Sequence, residues 1–337
     1  MSLTDFLQSV DWPTTTLVLD AETYTSGKYA LGTVPTYEYV ADERFELLGW
    51  AQKMSQNRAE FHTELPKVNW NSVTVIMHNA KFDALILALR YGLYPPYILD
   101  TLDLARHIEP RHDNSLRALC DRYNLPAKGN TKQFFDKHLV DFDAQSWVEL
   151  INYATNDAEQ TYALAGILSP YLSNPKTELE LATWTRNLFI RPILQLNFDK
   201  AAEVQIQMEQ ELADKLAGAD VTGTQVRSEP QFRTLLETEG VPVPLKRGKK
   251  GLILALAKND PEYKHFLTHE NPQVRKLMEA KVAAKSFPLH IRRVQRIVSI
   301  AKAADGKLPI PLHYYGGHTG RWSGAEKVNI QNLPARV

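Results

Sequence analysis

Residues 16–19, Thr-Leu-Val-Leu, form a short apolar run that ends in Asp20-Ala-Glu22, and this juncture constrains the fold more than any other feature. A β-branched, apolar run of this length is a buried strand. Residues two apart on a strand point the same way, so Asp20 and Glu22 aim two carboxylates at one point. A second apolar run, 73–77, leads into His78 and then Asn79-Ala-Lys-Phe82-Asp83. In the helix-reading stretch 147–168, Tyr153 and Asp157 lie four apart and share one face. Carboxylates that converge from separate elements repel one another unless cations neutralise them. Oxygen-only donors suit hard Mg²⁺ or Mn²⁺.

Asp20-x-Glu22, Asn79-x-x-Phe82-Asp83 and Tyr153-x-x-x-Asp157, in this order, resemble the 3′→5′ exonucleases of the DEDD superfamily, tyrosine subtype. A lone D-x-E occurs at many strand ends by chance; the ordered set carries the resemblance. It implies an α/β, ribonuclease-H-like exonuclease domain that hydrolyses phosphodiesters with two Mg²⁺ (or Mn²⁺). By that resemblance Asp20 bridges both ions, Glu22 and Asp157 complete the first ion's site, and Asp83 holds the second through water. Asn79 and Phe82 support the site or the terminal nucleotide. An unperturbed phenol titrates near ~10, so Tyr153 orients the attacking water rather than deprotonating it at neutral pH. His78 is read as strand-edge packing.

The later sequence extends the resemblance. Residues 313–324 (HYYGGHTGRWSG) and 328–336 (VNIQNLPAR) resemble the segment of family A DNA polymerases just ahead of their first palm aspartate. Residues 242–267 and 271–304 are similar to the thumb of phage members of that family. The implied order is an exonuclease domain over 1–172, a mainly α-helical thumb over 173–309, and the first edge of a palm over 310–337. Arg321, Asn329, Gln331 and Asn332 fall on positions that touch the duplex minor groove, and Arg336 on one beside the polymerase site. Lys281, Lys285, Arg292, Arg293 and Arg296 recur along the late helices and suit duplex phosphates, as do Lys246, Arg247, Lys249 and Lys250. The expected partners are a single-stranded DNA 3′ end, a primer–template duplex, and a separate chain carrying palm and fingers. The family's palm aspartates and fingers helix lie beyond Val337, so a split polymerase is the favoured expectation and a shortened chain the other. Apolar surface is then expected to lie open near Ile310, Leu312, Tyr314 and Ile330. Two alternatives stand beside this reading: a free-standing DEDD nuclease that trims RNA or DNA, and a silent DNA-holding subunit. The polymerase-like segments argue against the first and the complete acid set against the second.

Composition fits a two-part chain. At 337 residues with 44% hydrophobic content there is material for two cores. The single cysteine, Cys120, excludes an intrachain disulfide and reads as a buried helix position. No signal-peptide pattern opens the sequence, and no run approaches the ~18 apolar residues of a membrane span, so the cytoplasm (a host's, if phage-encoded) is expected. The zero net charge hides a division: residues 1–175 carry 14 Lys plus Arg against 22 Asp plus Glu, and residues 176–337 carry 25 against 17. A basic second half suits a phosphate backbone.

Strands are expected at 16–19, 45–50 and 73–77, and helices at 80–91, 102–108, 114–123 and 147–168. The stretch 169–176 reads as a linker. Helix resumes over 177–211 with a break near Arg191-Pro192 and Asn197. Pro242, Pro244 and the KRGKKG run mark a loop, and Pro288 is expected to break or kink a helix over 271–304.

Overall fold

The structure is a computed structural model that describes residues 1–127, 129, 132–248, 251–256 and 259–332, the side chains of 132 and 332 excepted. It divides into two compact units, one made of Met1–Gln195 with Ser299–Val337, the other of Leu196–Val298. The segment read as a linker holds a 3₁₀ turn, Ser169–Tyr171, and runs directly into helix Pro175–Ile190 of the first unit. That helix buries Leu179, Ala182, Phe189 and Ile190, which ties it to the first core.

The first unit is built on a five-stranded sheet of order β3-β2-β1-β4-β5. Its strands are β1 (Thr16–Thr23), β2 (Leu47–Met54), β3 (Glu60–His62), β4 (Thr74–Met77) and β5 (Ile98–Asp100). β1 pairs antiparallel with β2 and parallel with β4; β2 pairs antiparallel with β3, and β4 parallel with β5. Helices α1 (Leu3–Ser9), α2 (Thr36–Ala41), α3 (Lys81–Tyr91), α4 (Thr101–Ile108), α5 (Leu116–Arg122), α6 (Ala144–Leu168) and α7 (Pro175–Ile190) cover it. Val18, Ala51, Ile76 and Leu99 from successive strands share a core with Leu7, Leu104, Leu119 and Ala158 from the helices. Side chains alternate along a strand, so Asp20 and Glu22 continue the face of Val18, the face on which α6 packs. This parity brings the two acids of β1 and the Tyr153–Asp157 face of α6 to the same side. The arrangement is the ribonuclease-H-like fold expected. Cys120 is buried on α5, its thiol 3.1 Å from Gln160 Oε1.

The second unit is mainly helical: α8 (Phe198–Gly218), α9 (Gly223–Arg227), α10 (Glu229–Thr238), α11 (Pro261–Leu267) and most of α12 (Pro272–Ala303). Phe232, Leu236, Phe266, Val274, Leu277 and Met278 form its core. Two expectations are corrected here. The basic segment read as a loop contains a hairpin, β6 (Leu245–Gly248) with β7 (Gly251–Leu254), because Leu252 to Leu254 supply an apolar strand whose partner is disguised by charge. Helix α12 runs unbroken through Pro288. A proline removes one N–H from the ladder, and α12 continues as helix on both sides of that gap. Among the described residues, no helix is long and apolar enough to cross a membrane.

Candidate active site

The site forms where the sheet loses a partner. β4 pairs with β1 only over Thr16 to Val18, whereas β1 stays paired with β2 as far as Thr23. Asp20 and Glu22 therefore lie inside a strand rather than at its end, on a stretch whose β4-side edge is open. The first turn of α3 takes that place: Asp83 Oδ1 accepts the Ala21 N–H at 2.9 Å. One bond from the backbone of β1 thus sets Asp83 beside Asp20.

The turn that delivers Asp83 is held by Asp100, which the sequence reading passed over. Its carboxylate accepts the N–H groups of Asn79 (2.9 Å), Ala80 (2.8 Å) and Leu102 (2.9 Å). It caps α4 while fixing the β4–α3 connection, and charge-assisted bonds of this kind are about twice as strong as neutral ones. Asn79 sits at φ +66°, a left-handed position that asparagine tolerates. It is exposed, as a group meeting substrate must be; Phe82 is half-buried against the Tyr39 ring. His78 meets Thr101 Oγ1 at 2.9 Å. The acid ending β5 and followed by a helix pattern, Ile-Leu-Asp-Thr-Leu, was the legible signal for Asp100.

Electrostatics mark the same cluster. Burial raises the Asp83 carboxyl well above the ordinary range and the charge of Asp20 raises it further, while the Ala21 N–H pulls it back. Burial also raises the Tyr153 phenol; Glu22, Asp157 and Asp20 add to this, as does its bond to Asp157. The phenol consequently stays protonated and keeps its O–H as a donor. Its ring rests against Phe134, in a group with Leu48, Leu150, Phe61 and Trp147. Opposite Glu22 in the ladder stands Gly49. A Cβ there would come within 2.5 Å of the Phe61 ring and 2.9 Å of the His62 carbonyl, so the glycine admits Phe61 beside the acids. Among the described residues, no three His, Cys, Asp or Glu side chains are drawn close enough to hold an ion as they stand. The donors nevertheless fit hard cations: all are oxygens, and the mutual repulsion felt at Asp83 is what a cation relieves.

The remaining expected residues lie apart from this cluster. Arg321 is exposed on a tight loop closed by Gly317 N–H to its carbonyl at 3.0 Å. Asn329 is half-buried and Gln331 exposed; the side chain of Asn332 and all of Arg336 fall outside the described residues. Lys285 and Arg292 are exposed on α12, and Arg293 and Arg296 partly so. Lys281 is turned inward. Its ammonium donates to the Val226 carbonyl at 2.9 Å and lies 4.0 Å from the Phe232 ring centroid. Lys246 pairs with Asp260, and Lys249 and Lys250 lie outside the described residues. The expectation of open apolar surface at Leu312 and Tyr314 is not met. Both are buried, because Tyr314 donates to Glu178 and meets His107 Nδ1 at 3.1 Å, which seats the segment on its own unit.

Residues 56–173 match the sequence profile of the 3′-5′ exonuclease domain of family A DNA polymerases. The matched stretch lies within the first unit. The matched stretch contains Asn79, Asp83, Tyr153 and Asp157, with Asp20 and Glu22 ahead of it. No curated protein sequence matches the chain. Among solved structures, the polymerase domain of Pol1 from M. smegmatis, in complex with DNA primer-template and dNTP, superposes with a TM-score of 0.66 at 15% identity. That likeness is one of fold; it covers 99% of this chain and 55% of the other, so the chain spans about half the length of that neighbour.

Proposed function

We propose that the first unit is a 3′→5′ exodeoxyribonuclease that removes terminal nucleotides by two-metal hydrolysis, in the proofreading role of a replicative DNA polymerase. The carrying observation is the bond from Ala21 N–H to Asp83, which gathers carboxylates from β1 and α3 at an open sheet edge faced by Tyr153 and Asp157. Asp20, Glu22, Asp83 and Asp157 would hold Mg²⁺ or Mn²⁺. Bound there, such ions supply a nucleophile at neutral pH and stabilise the leaving oxygen. The chain's own groups do the rest. Tyr153, protonated, donates and orients. Asn79 and Phe82 at the α3 turn are placed to meet the terminal nucleotide.

Cations of the second unit, Lys285 and Arg292, exposed, and Arg296, partly so, support a role in holding duplex phosphates. Lys281 is set aside by its inward bonds. The likeness of 313–336 to the polymerase segment supports a further part of the reading: a role in nucleotide addition alongside palm and fingers elements. Mixed with a polypeptide that carries those elements, the chain should form a one-to-one complex that extends a primed template, and failure to associate would remove this part alone.

The deciding test is Asp20→Ala with Glu22→Ala, which should abolish Mg²⁺-dependent loss of nucleotides from a single-stranded 3′ end while the chain stays folded. Degradation at the parental rate would sink the assignment. RNA cut as fast as DNA would favour an RNA-trimming nuclease instead.

A further inference from the structure

Lys81 lies between Asn79 and Asp83 in the first turn of α3, yet its ammonium points away from the acids. It donates to the Leu312 carbonyl at 2.9 Å and meets His313 Nδ1 at 3.2 Å. His313 is mostly buried, and burial followed by the charges of Lys81 and Arg106 pushes its ring down to about 3. The ring is therefore neutral at physiological pH, and Nδ1 is free to accept. Burial lowers the Lys81 ammonium below its ordinary range, with Arg106 adding to the shift, while Asp103, Glu326 and Asp100 pull it back.

The segment it grips is itself anchored. Leu312 and His313 form strand β8, which pairs with β9 (Ser323–Gly324), and Tyr314 is fastened to Glu178 and His107. Farther along, Glu326 accepts the N–H and hydroxyl of Thr36 at 3.1 and 2.5 Å. The polymerase-like segment and the acid-bearing turn of the exonuclease domain are thus joined through one side chain two residues from Asp83. Any slide of that turn along the sheet strains the bond from Asp83 to Ala21 N–H, and with it the placement of Asp83 beside Asp20.

We propose that Lys81 is a positioning residue for the cutting reaction: it holds the first turn of α3 in register while residues 312–314 are seated, so that the polymerase-like segment sets the exonuclease rate. This rests on the exonuclease reading above. The coupling runs through a short, contiguous series of bonds, Leu312 and His313 to Lys81, along one helical turn to Asp83, and across to β1.

The whole chain is compared with Lys81→Met, which keeps the stem and removes the donors, and with His313→Leu, on 3′-labelled single-stranded DNA with Mg²⁺. In Lys81→Met, kcat should fall about 3- to 30-fold while KM stays within about 2-fold, the signature of lost positioning rather than lost binding. His313→Leu should fall less, and the double variant should be no slower than Lys81→Met, because both remove one linkage. Lys81→Arg, which keeps charge and donors, should recover most of the rate. A lowered melting temperature with unchanged kcat per folded molecule, or additive losses in the double variant, would overturn the proposal. Should Lys81→Met fail to fold, His313→Leu decides: its kcat at the parental value overturns the coupling, and a fall with KM unchanged supports it. Asp83→Ala separates the two levels of inference. If it cuts normally, the exonuclease reading fails; if it is inactive while Lys81→Met cuts at the parental rate, only the coupling fails.

Discussion

At the scale of single residues, Tyr153 and Gly49 show how surroundings decide a role. Tyr153 is surrounded by three carboxylates and an aromatic floor, and burial and those charges raise its phenol. Lost deprotonation therefore cannot explain any effect of removing its hydroxyl. Tyr153→Phe should slow cutting by roughly 10²-fold through lost orientation of water. Because the group is protonated throughout, the ratio of the two rates should stay flat from pH 6 to 9, which a pH–rate profile of both enzymes checks. A ratio that widened with pH would instead identify a phenolate base. Gly49 acts through what it lacks. Gly49→Ala places a methyl against the Phe61 ring and the His62 carbonyl, and the carbonyl cannot swing away as a side chain can. Overpacking of this kind destabilises by about 1–3 kcal/mol, measurable by urea unfolding. The strand opposite Glu22 should shift as well, so activity should fall even under conditions where the variant is folded. The role of Gly49 was not legible in the sequence, where it is one small residue inside an apolar run and Phe61 lies 39 residues from Glu22.

Among elements, what the sequence announced and what it concealed differ for physical reasons. β1, β4, α3 and α6 were readable because each is a long or strongly patterned run with an acid at a telling position. β3 and β5 were not: three residues give too little periodicity, and both strands exist only because β2 and β4 offer them an edge. The hairpin of Leu245–Gly248 and Gly251–Leu254 was masked by its lysines and glycines. Pro288 was overread as a break, since one missing N–H is a small part of the ladder of a 32-residue helix. The charge layer beneath the α3 turn was invisible too, because Lys81, the Asp100–Asp103 pair and Arg186 come from three separated stretches. Asp103 carries a testable consequence. Burial, with Asp100 second, raises its carboxyl to about 7, against which Arg106, Arg186 and Lys81 pull. A carboxyl held above its unfolded value near 3.8 binds a proton in the folded state that the unfolded chain has released. Its contribution therefore grows less favourable as pH rises from about 4 to about 7 and levels off above that. Asp103→Asn removes this titration. The melting temperature of the parent relative to Asp103→Asn should fall between pH 4 and 7 and be constant above; a difference independent of pH would show that Asp103 does not titrate in this window.

For the whole molecule, the division of charge makes a claim about two separable kinds of DNA contact. The acids that would hold cations lie in the first unit, while Lys285, Arg292 and Arg296 recur at spacings of seven and four along α12 in the second, and so share a helix face. Arg292 is exposed and Arg296 partly so, and neither neighbours the carboxylates of β1 in sequence or unit. Contacts to phosphates release counterions, so affinity for duplex falls with salt at a slope of about −0.9 per phosphate neutralised. Arg292→Ala with Arg296→Ala should therefore weaken binding of a primer–template duplex uniformly across sequences and flatten the log–log salt slope by about 2. The same variant should degrade a short single-stranded 3′ end at the parental rate, because that substrate needs only the first unit. Fluorescence anisotropy across a salt series, run beside the nuclease assay, reads both quantities. An unchanged slope would remove α12 from the duplex contacts and return its basic face to solvent. Equal losses on both substrates would mean instead that the single strand also runs along α12, and that the charge asymmetry serves one shared path rather than two.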